Sequence, residues 1–125
     1  METRYERGLS VLEALDREQG ARILAALEDV APDFARLLVE FAFGDICARP
    51  GLDLKTREIA TVAALTALGT APAQLRVHIK AALNLGCSRT ELTEAIMQMA
   101  VYAGFPAALN GLAAAKEVFG SAGEA

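Results

Sequence analysis

LGTAPAQLRVHIKAALNLG, residues 68–86, shows the helical pattern on which the fold of this chain depends. Gly69 supplies a stop for the preceding helix, Pro72 lies near the first turn of the next helix, and Gly86 supplies the next stop. Between Pro72 and Gly86 apolar side chains recur at helical spacing, which predicts one amphipathic helix. The apolar stripe comprises Leu75, Ile79, Ala82 and Leu83.

The rest of the chain repeats this pattern of helices separated by glycine and proline. No run of alternating apolar and polar residues is long enough to predict a strand. Ser88 and Glu91 have the spacing of a capping box at a helix start. We therefore predict an all-α, single-domain bundle of six to seven helices over residues 1–120, and a disordered tail at 121–125. Helical segments are predicted at 4–16, 20–30, 31–51, 54–69, 71–86, 89–104 and 107–120.

Composition and charge favour an ordinary water-soluble domain. The 125 residues suit one domain, and 54% of them are hydrophobic, which is enough for a core. The net charge is -4, and no basic block indicates a nucleic-acid partner. The charged N-terminus lacks the apolar core of a signal peptide, and the longest nearly apolar run, 59–69, is far shorter than a membrane span of about 20 residues. We expect a cytoplasmic protein with no membrane partner.

The cysteines and the histidine give no metal site. Cys47 and Cys87 lie far apart, without a Cys-x-x-Cys motif, and we predict both to be small buried hydrophobes. The single histidine, His78, lies at the edge of the apolar stripe beside Gln74 and Leu85. Periodicity alone leaves two interpretations open, a structural histidine bonded to a carbonyl and a catalytic imidazole.

Four stretches, in order along the chain, carry a family resemblance. They are RYERGL at 4–9, FAFGDICARPGLDLKTRE at 41–58, LRVHIKAALNLG at 75–86 and EAIMQMAVYAGFPAALN at 94–110. Together they resemble the carboxymuconolactone decarboxylase family over nearly the whole chain. The resemblance implies the all-helical alkylhydroperoxidase D-like fold. It also implies a homo-oligomer, often a trimer or hexamer, with sites near subunit contacts.

The family has two main activities, and the residues separate them. One branch decarboxylates 4-carboxymuconolactone without a cofactor during aromatic-compound catabolism. The other is a thiol-dependent peroxidase or disulfide reductase, which needs a Cys-x-x-Cys four residues before the histidine. Ala71 and Gln74 occupy those two positions here, so neither thiolate is present. The resemblance therefore favours the decarboxylase, with no cofactor and a small anionic substrate. A non-catalytic oligomeric binding protein is the alternative, and the peroxidase is a weaker one.

The resemblance to the decarboxylases also indicates the site residues. Arg49, Arg57, His78 and the segment around Tyr102 agree with them. Four positions differ from the pattern that the decarboxylases show. Where this chain has Asp45 and Cys47, they have a glutamate and a tryptophan. Where it has Lys55 and Glu58, they have an arginine and a serine.

Decarboxylation requires cations for the substrate's carboxylates and a group that transfers a proton. We predict Arg57 and Arg49 as carboxylate clamps and His78 as the acid or base. Glu58 is predicted to orient His78 or to carry the proton. Asp45 and Tyr102 are predicted to contact substrate.

Two packing expectations complete the predictions. The segment 54–69 is apolar on nearly every side after Glu58, which favours a central position, and Met97 and Met99 are expected in the core. If this helix and the next formed an antiparallel hairpin, Glu58 and His78 would differ in level by roughly 9 Å, which argues against a direct hydrogen bond.

Overall fold

The computed structural model describes residues 1–122, and every regular element in that range is a helix. The predicted all-α fold class is therefore confirmed. The α-helices are α1 (Arg4–Leu27), α2 (Pro32–Leu37), α3 (Leu54–Leu68), α4 (Pro72–Asn84), α5 (Arg89–Ala103) and α6 (Phe105–Ala122). A π-helical segment, Leu38–Cys47, continues directly from α2. Of the predicted tail, 121–122 belong to α6, and 123–125 lie outside the described residues.

The helix boundaries in the second half follow the glycine and capping signals. Gly69, Gly86 and Gly104 all have positive φ values, of 71°, 94° and 94°, a conformation that glycine adopts without steric cost. At the start of α5, Ser88 Oγ accepts from the Glu91 backbone N–H at 2.9 Å. The Glu91 carboxylate accepts from the Ser88 N–H at 2.8 Å, which confirms the capping box. This backbone hydrogen bond lowers the pKa of Glu91.

The chain divides into two compact units, and each is described by itself. The first is Met1–Leu54, and the second begins at Lys55. The predicted single domain over 1–120 stays a prediction. Within the described part, no helix is both long enough and apolar enough to span a membrane.

In the first unit, α1 consists of two helical stretches that meet at Asp16. Asp16 has extended backbone angles, φ -166° and ψ 98°, so the helical hydrogen-bond ladder is interrupted there. Its carboxylate accepts from the Gln19 backbone N–H at 3.2 Å and so caps the second stretch. This kink explains why the sequence predicts two helices, 4–16 and 20–30, where the structure has one bent element.

Two glycines allow α1 to approach the π-helical segment closely. A Cβ atom on Gly8 would overlap the carbonyl oxygen of Val39, and one on Gly44 would lie 2.5 Å from the carbonyl oxygen of Arg4. Arg7 Nε donates to the Gly44 carbonyl at 2.9 Å. Backbone-to-backbone packing, rather than large apolar side chains, therefore sets the spacing at this contact.

The second unit has a core built from one face of each of its helices. α5 packs along α6, and α4 also packs on α6. The largest fully buried side chains in this unit are Val62, Thr66, Ile79, Leu92 and Ile96. A Cβ atom on Gly111 would meet Thr66 and Ile96 at 2.8 Å, so α6 lies close to both. The absence of a side chain at Gly111 therefore sets this helix spacing.

Two packing expectations are corrected by the structure. α3 is fully buried along only one line, at Glu58, Val62 and Thr66, because only that side faces the core; Ile59 and Leu65 beside it are half-buried. Met97 is 47% exposed, because Ile96 takes the inward direction and the next residue points about 100° away. Met99 is half-buried.

Candidate active site

Glu58 and His78 form a hydrogen-bonded pair between α3 and α4. His78 Nδ1 lies 2.9 Å from Glu58 Oε1 and 3.1 Å from Oε2. The Glu58 side chain is only 4% exposed, whereas that of His78 is 23% exposed. A buried carboxylate is costly unless it is paired, and the imidazole supplies that partner. The structure thus joins the two residues that the sequence analysis assigned to proton transfer.

The expectation of a 9 Å offset between these residues is wrong. It assumed that α3 and α4 lie side by side as an antiparallel hairpin. In the structure α4 runs alongside α6 instead, so a difference in level along a shared α3–α4 axis does not apply. Two long side chains then meet directly, without a water bridge.

The contact with Glu58 determines which imidazole nitrogen of His78 is available for proton transfer. An ionised carboxylate only accepts hydrogen bonds, so His78 Nδ1 donates its hydrogen to Glu58. Nε2 then carries a lone pair in the neutral ring and a hydrogen in the charged ring. Because Glu58 orients the ring and is itself buried, His78 is the member of the pair that can touch a substrate.

Arg57 and Tyr102 belong to the same unit as the pair. Arg57 precedes Glu58 in the first turn of α3 and is half-buried, and its carbonyl accepts a hydrogen bond from Thr61 at 2.8 Å. Tyr102 lies near the end of α5 and is 78% exposed, so it is not a core tyrosine in this chain. Their roles in substrate binding stay predictions.

Asp45 and Arg49 belong to the first unit. Asp45 accepts two hydrogen bonds from Arg4, at 2.6 Å and 3.0 Å, and Arg7 Nη2 lies 3.6 Å from it. The hydrogen bond from Arg4 lowers the pKa of Asp45 below its ordinary value, and the same bond raises the pKa of Arg4. Arg49 is exposed just beyond the π-helical segment. The Arg4–Asp45 pair was not predicted, since no local sequence pattern connects positions that far apart. Contacts of Asp45 and Arg49 with substrate stay predictions.

The cysteines differ in their surroundings. Cys87 is buried in the core of the second unit, as predicted, and its thiol donates to the Lys55 carbonyl at 3.7 Å. Cys47 is half-buried, which is more open than expected. Both are free thiols. Within the described residues no group of three or more His, Cys, Asp or Glu side chains has a metal-binding arrangement.

A cavity of about 290 Å³ lies at the C-terminal end of α3, against α4 and α6. Arg76 and Glu117 both line it, and Arg76 Nη1 lies 3.9 Å from Glu117 Oε2. Leu65, Leu75 and Asn110 also line it, and neither Glu58 nor His78 does. The sequence analysis did not find this cavity, because it depends on how three helices converge.

Comparisons with known proteins agree with the resemblance. A sequence model of the carboxymuconolactone decarboxylase family matches residues 32–117. The chain is 40% identical to the 4-carboxymuconolactone decarboxylase of Acinetobacter baylyi, over 94% of this chain and 88% of that protein. It is 36% identical to an uncharacterized 15.0 kDa protein of Paracoccus denitrificans, over 77% and 72% of the two chains. It is 34% identical to a nitrosuccinic acid decarboxylase of Metarhizium robertsii, over 61% and 52%. With a family match over most of its length and a relative this similar, the chain belongs to the carboxymuconolactone decarboxylase family.

Proposed function

We propose that this chain is a cofactor-independent decarboxylase that acts on 4-carboxymuconolactone or a related small anionic lactone or acid. The 40% identity to a 4-carboxymuconolactone decarboxylase over 94% of the chain supports the reaction class. The Glu58–His78 pair is the structural observation that carries it, because it supplies an oriented proton-transfer group. We also propose a role in aromatic-compound catabolism, which follows from that substrate. A cytoplasmic location suits the free thiols of Cys47 and Cys87.

The chemistry of the proposed substrate needs little from the protein. The departing carboxylate of 4-carboxymuconolactone sits on a carbon that is conjugated, through a double bond, to the lactone carbonyl. When carbon dioxide leaves, the electron pair spreads onto that carbonyl oxygen as a dienolate. The protein must hold the substrate's carboxylates, stabilise the developing oxyanion and protonate the carbon next to the carbonyl.

The residues of the second unit fit these tasks. In the charged form of His78, Nε2–H donates the proton to carbon, while Glu58 holds Nδ1 and keeps the ring in place. Arg57, one residue before Glu58, is the proposed guanidinium for a substrate carboxylate, which it can bind through two parallel hydrogen bonds. Arg49, Asp45 and Tyr102 are proposed as further substrate contacts.

We also propose that the chain works as a homo-oligomer, a trimer or hexamer, with sites near the subunit contacts. Large apolar side chains cluster around the Gly104 turn between α5 and α6, where a single chain leaves them in water. A second copy of the chain is the partner that would cover them. The exposed residues are Met97, Val101, Tyr102, Phe105 and Leu109.

The loss of ultraviolet absorbance of 4-carboxymuconolactone with purified protein tests the proposed reaction. We expect turnover in the wild type and a loss of about 10²- to 10⁴-fold in His78→Ala, the usual contribution of a general acid or base. Lys80→Ala is the matched control, since Lys80 is exposed on the same helix and points about 160° away from His78 around the helix axis.

Two results would contradict this proposal. Absence of turnover in the wild type would reject the substrate class. Equal turnover in His78→Ala and the wild type would reject the role of the imidazole. Circular dichroism of both variants establishes that the helices are retained.

A further inference from the structure

We propose that the Glu58–His78 pair also catalyses hydrogen exchange with solvent at the carbon next to the carbonyl of unsaturated lactones that carry no departing carboxylate. This activity rests on the proposed function, because it uses the same site and the same dienolate. It differs in the bond that breaks, which is a C–H bond at the carbon next to the carbonyl, whereas decarboxylation breaks the C–C bond between the carboxylate and the carbon beyond the double bond. It is therefore a second reaction, an enolisation.

The orientation of the pair points to proton removal as well as proton donation. Decarboxylation calls for an acid at the protonation step, which a charged imidazole provides alone. Glu58 adds a carboxylate whose two oxygens lie 2.9 Å and 3.1 Å from Nδ1. A carboxylate at Nδ1 accepts that nitrogen's hydrogen, so Nε2 of the neutral ring carries the lone pair that can take up a proton. The pair is thus built as a base on its Nε2 side.

Burial divides the two roles between the residues. The Glu58 side chain is 4% exposed, so its carboxylate is shielded from water and from a ligand in solution. The imidazole of His78 is 23% exposed. A hydrogen held at Nε2 can therefore be replaced by one from water before it returns to carbon. Label from deuterated solvent would then enter the lactone.

The exchange step balances without any co-reactant. The C–H bond next to the carbonyl breaks, its electron pair passes onto the carbonyl oxygen as the dienolate, and the proton moves to His78 Nε2. The Nε2 hydrogen then exchanges with solvent deuterium. In the reverse step the C–D bond forms from the dienolate, and the carbonyl and the neutral imidazole are restored. One hydrogen goes to solvent and one deuterium to carbon, with no oxidation or reduction.

The test uses the β,γ-unsaturated lactone that is the product of 4-carboxymuconolactone decarboxylation. It follows the hydrogens of the ring methylene group next to the carbonyl. Proton nuclear magnetic resonance in D₂O measures the loss of this signal, and mass spectrometry confirms deuterium in the recovered lactone. We expect the wild type to accelerate exchange about 10²-fold or more over a sample without protein. His78→Ala should fall to the rate of that sample, Glu58→Gln should fall about 10-fold or more, and Lys80→Ala should match the wild type.

The outcomes separate this inference from the proposed function, because decarboxylation is measured on the same preparations. Decarboxylation without exchange in the wild type overturns the inference and leaves the proposed function standing. Exchange that depends on His78, without decarboxylation, supports the inference and rejects the proposed substrate. Exchange that His78→Ala retains in full overturns the inference, as does the absence of both reactions.

Discussion

His78 Nδ1 lies 2.9 Å from Glu58 Oε1, although the two residues are 20 positions apart and belong to different helices. Glu58 is buried in α3, and His78 lies on the more open side of α4. The carboxylate fixes the imidazole by its inner nitrogen and leaves the outer nitrogen for a ligand.

Glu58→Gln tests whether Glu58 acts through His78. Gln keeps the size of the side chain but replaces the carboxylate, which only accepts hydrogen bonds, with an amide that can also present its NH2 group to Nδ1. We expect kcat for decarboxylation to fall about 10- to 100-fold with little change in KM, because Glu58 does not contact substrate. Steady-state kinetics measure the split. A rise in KM with kcat unchanged would show instead that Glu58 contributes to substrate binding.

Arg57→Lys tests the proposed carboxylate clamp. Lysine keeps the positive charge but cannot form two parallel hydrogen bonds with a carboxylate. We expect KM to rise about 10-fold, equivalent to about 1.4 kcal/mol of binding. Lys80→Arg, on the exposed side of α4, is the reciprocal control and should leave KM unchanged. If Arg57→Lys had the same KM as the wild type, Arg57 would not be a substrate-binding residue.

Val101→Glu tests the proposed oligomer contact. Val101 is among the exposed apolar residues around the Gly104 turn, and a charge there cannot be covered by a second copy without loss of hydration. We expect wild-type protein to sediment as an oligomer of the 13.2 kDa chain and Val101→Glu to sediment as smaller species. Thr90→Glu adds the same charge at an exposed polar position near the start of α5, about 16 Å along the helix from Val101, and should keep the wild-type size. A monomeric wild type at micromolar concentration would contradict the oligomer.

Asp45→Asn tests the Arg4–Asp45 contact of the first unit. The hydrogen bond from Arg4 lowers the pKa of Asp45 below its ordinary value of 3.8, so the folded state favours the ionised carboxylate. The resulting stability is present above about pH 4 and is lost as the pH falls through the lowered pKa. We expect the wild type to melt at a higher temperature than Asp45→Asn at pH 7. As the pH is lowered below 4, the difference between the two melting temperatures should shrink, and a constant difference would contradict the assignment.

Gly111→Ala and Gly120→Ala form a matched pair in α6. A Cβ at Gly111 would lie 2.8 Å from both Ile96 and Thr66, whereas nothing lies within 4 Å of one at Gly120. We expect Gly111→Ala to lower the free energy of unfolding by about 1–3 kcal/mol through overpacking. Gly120→Ala should leave it unchanged or raise it by up to about 1 kcal/mol, because alanine favours the helix. Urea denaturation measures both, and equal effects would show that α6 does not pack closely at Gly111.

The elements of this fold could be predicted locally. Helix boundaries depend on residues within one turn of each end, so they can be predicted from the sequence. Examples are the helix ends at Gly69 and Gly86, the helix start at Pro72 and the capping box at Ser88. The absence of alternating patterns indicated helices alone. The bend at Asp16 also had a local cause, a side-chain cap on Gln19.

The site residues could be predicted as candidates, but the contacts between them could not. His78 and Glu58 were singled out by their chemistry and by a family resemblance, and only an assumed hairpin of the two helices argued against a direct hydrogen bond between them. Their contact arises because α4 packs on α6 rather than along α3, and helix packing depends on which faces fit together across the whole unit. The Arg4–Asp45 pair likewise joins positions 41 residues apart.

The sequence by itself determined the helices, their ends and the groups capable of proton transfer, because these depend on side-chain chemistry and on hydrogen bonds within a few residues. Only the tertiary structure decided that Glu58 is buried behind His78 and that Nδ1 is the nitrogen it holds. It also decided that Met97 and Tyr102 face solvent in a single chain. Burial and contact between helices are properties of packing, which a periodic pattern constrains to a face but not to a partner.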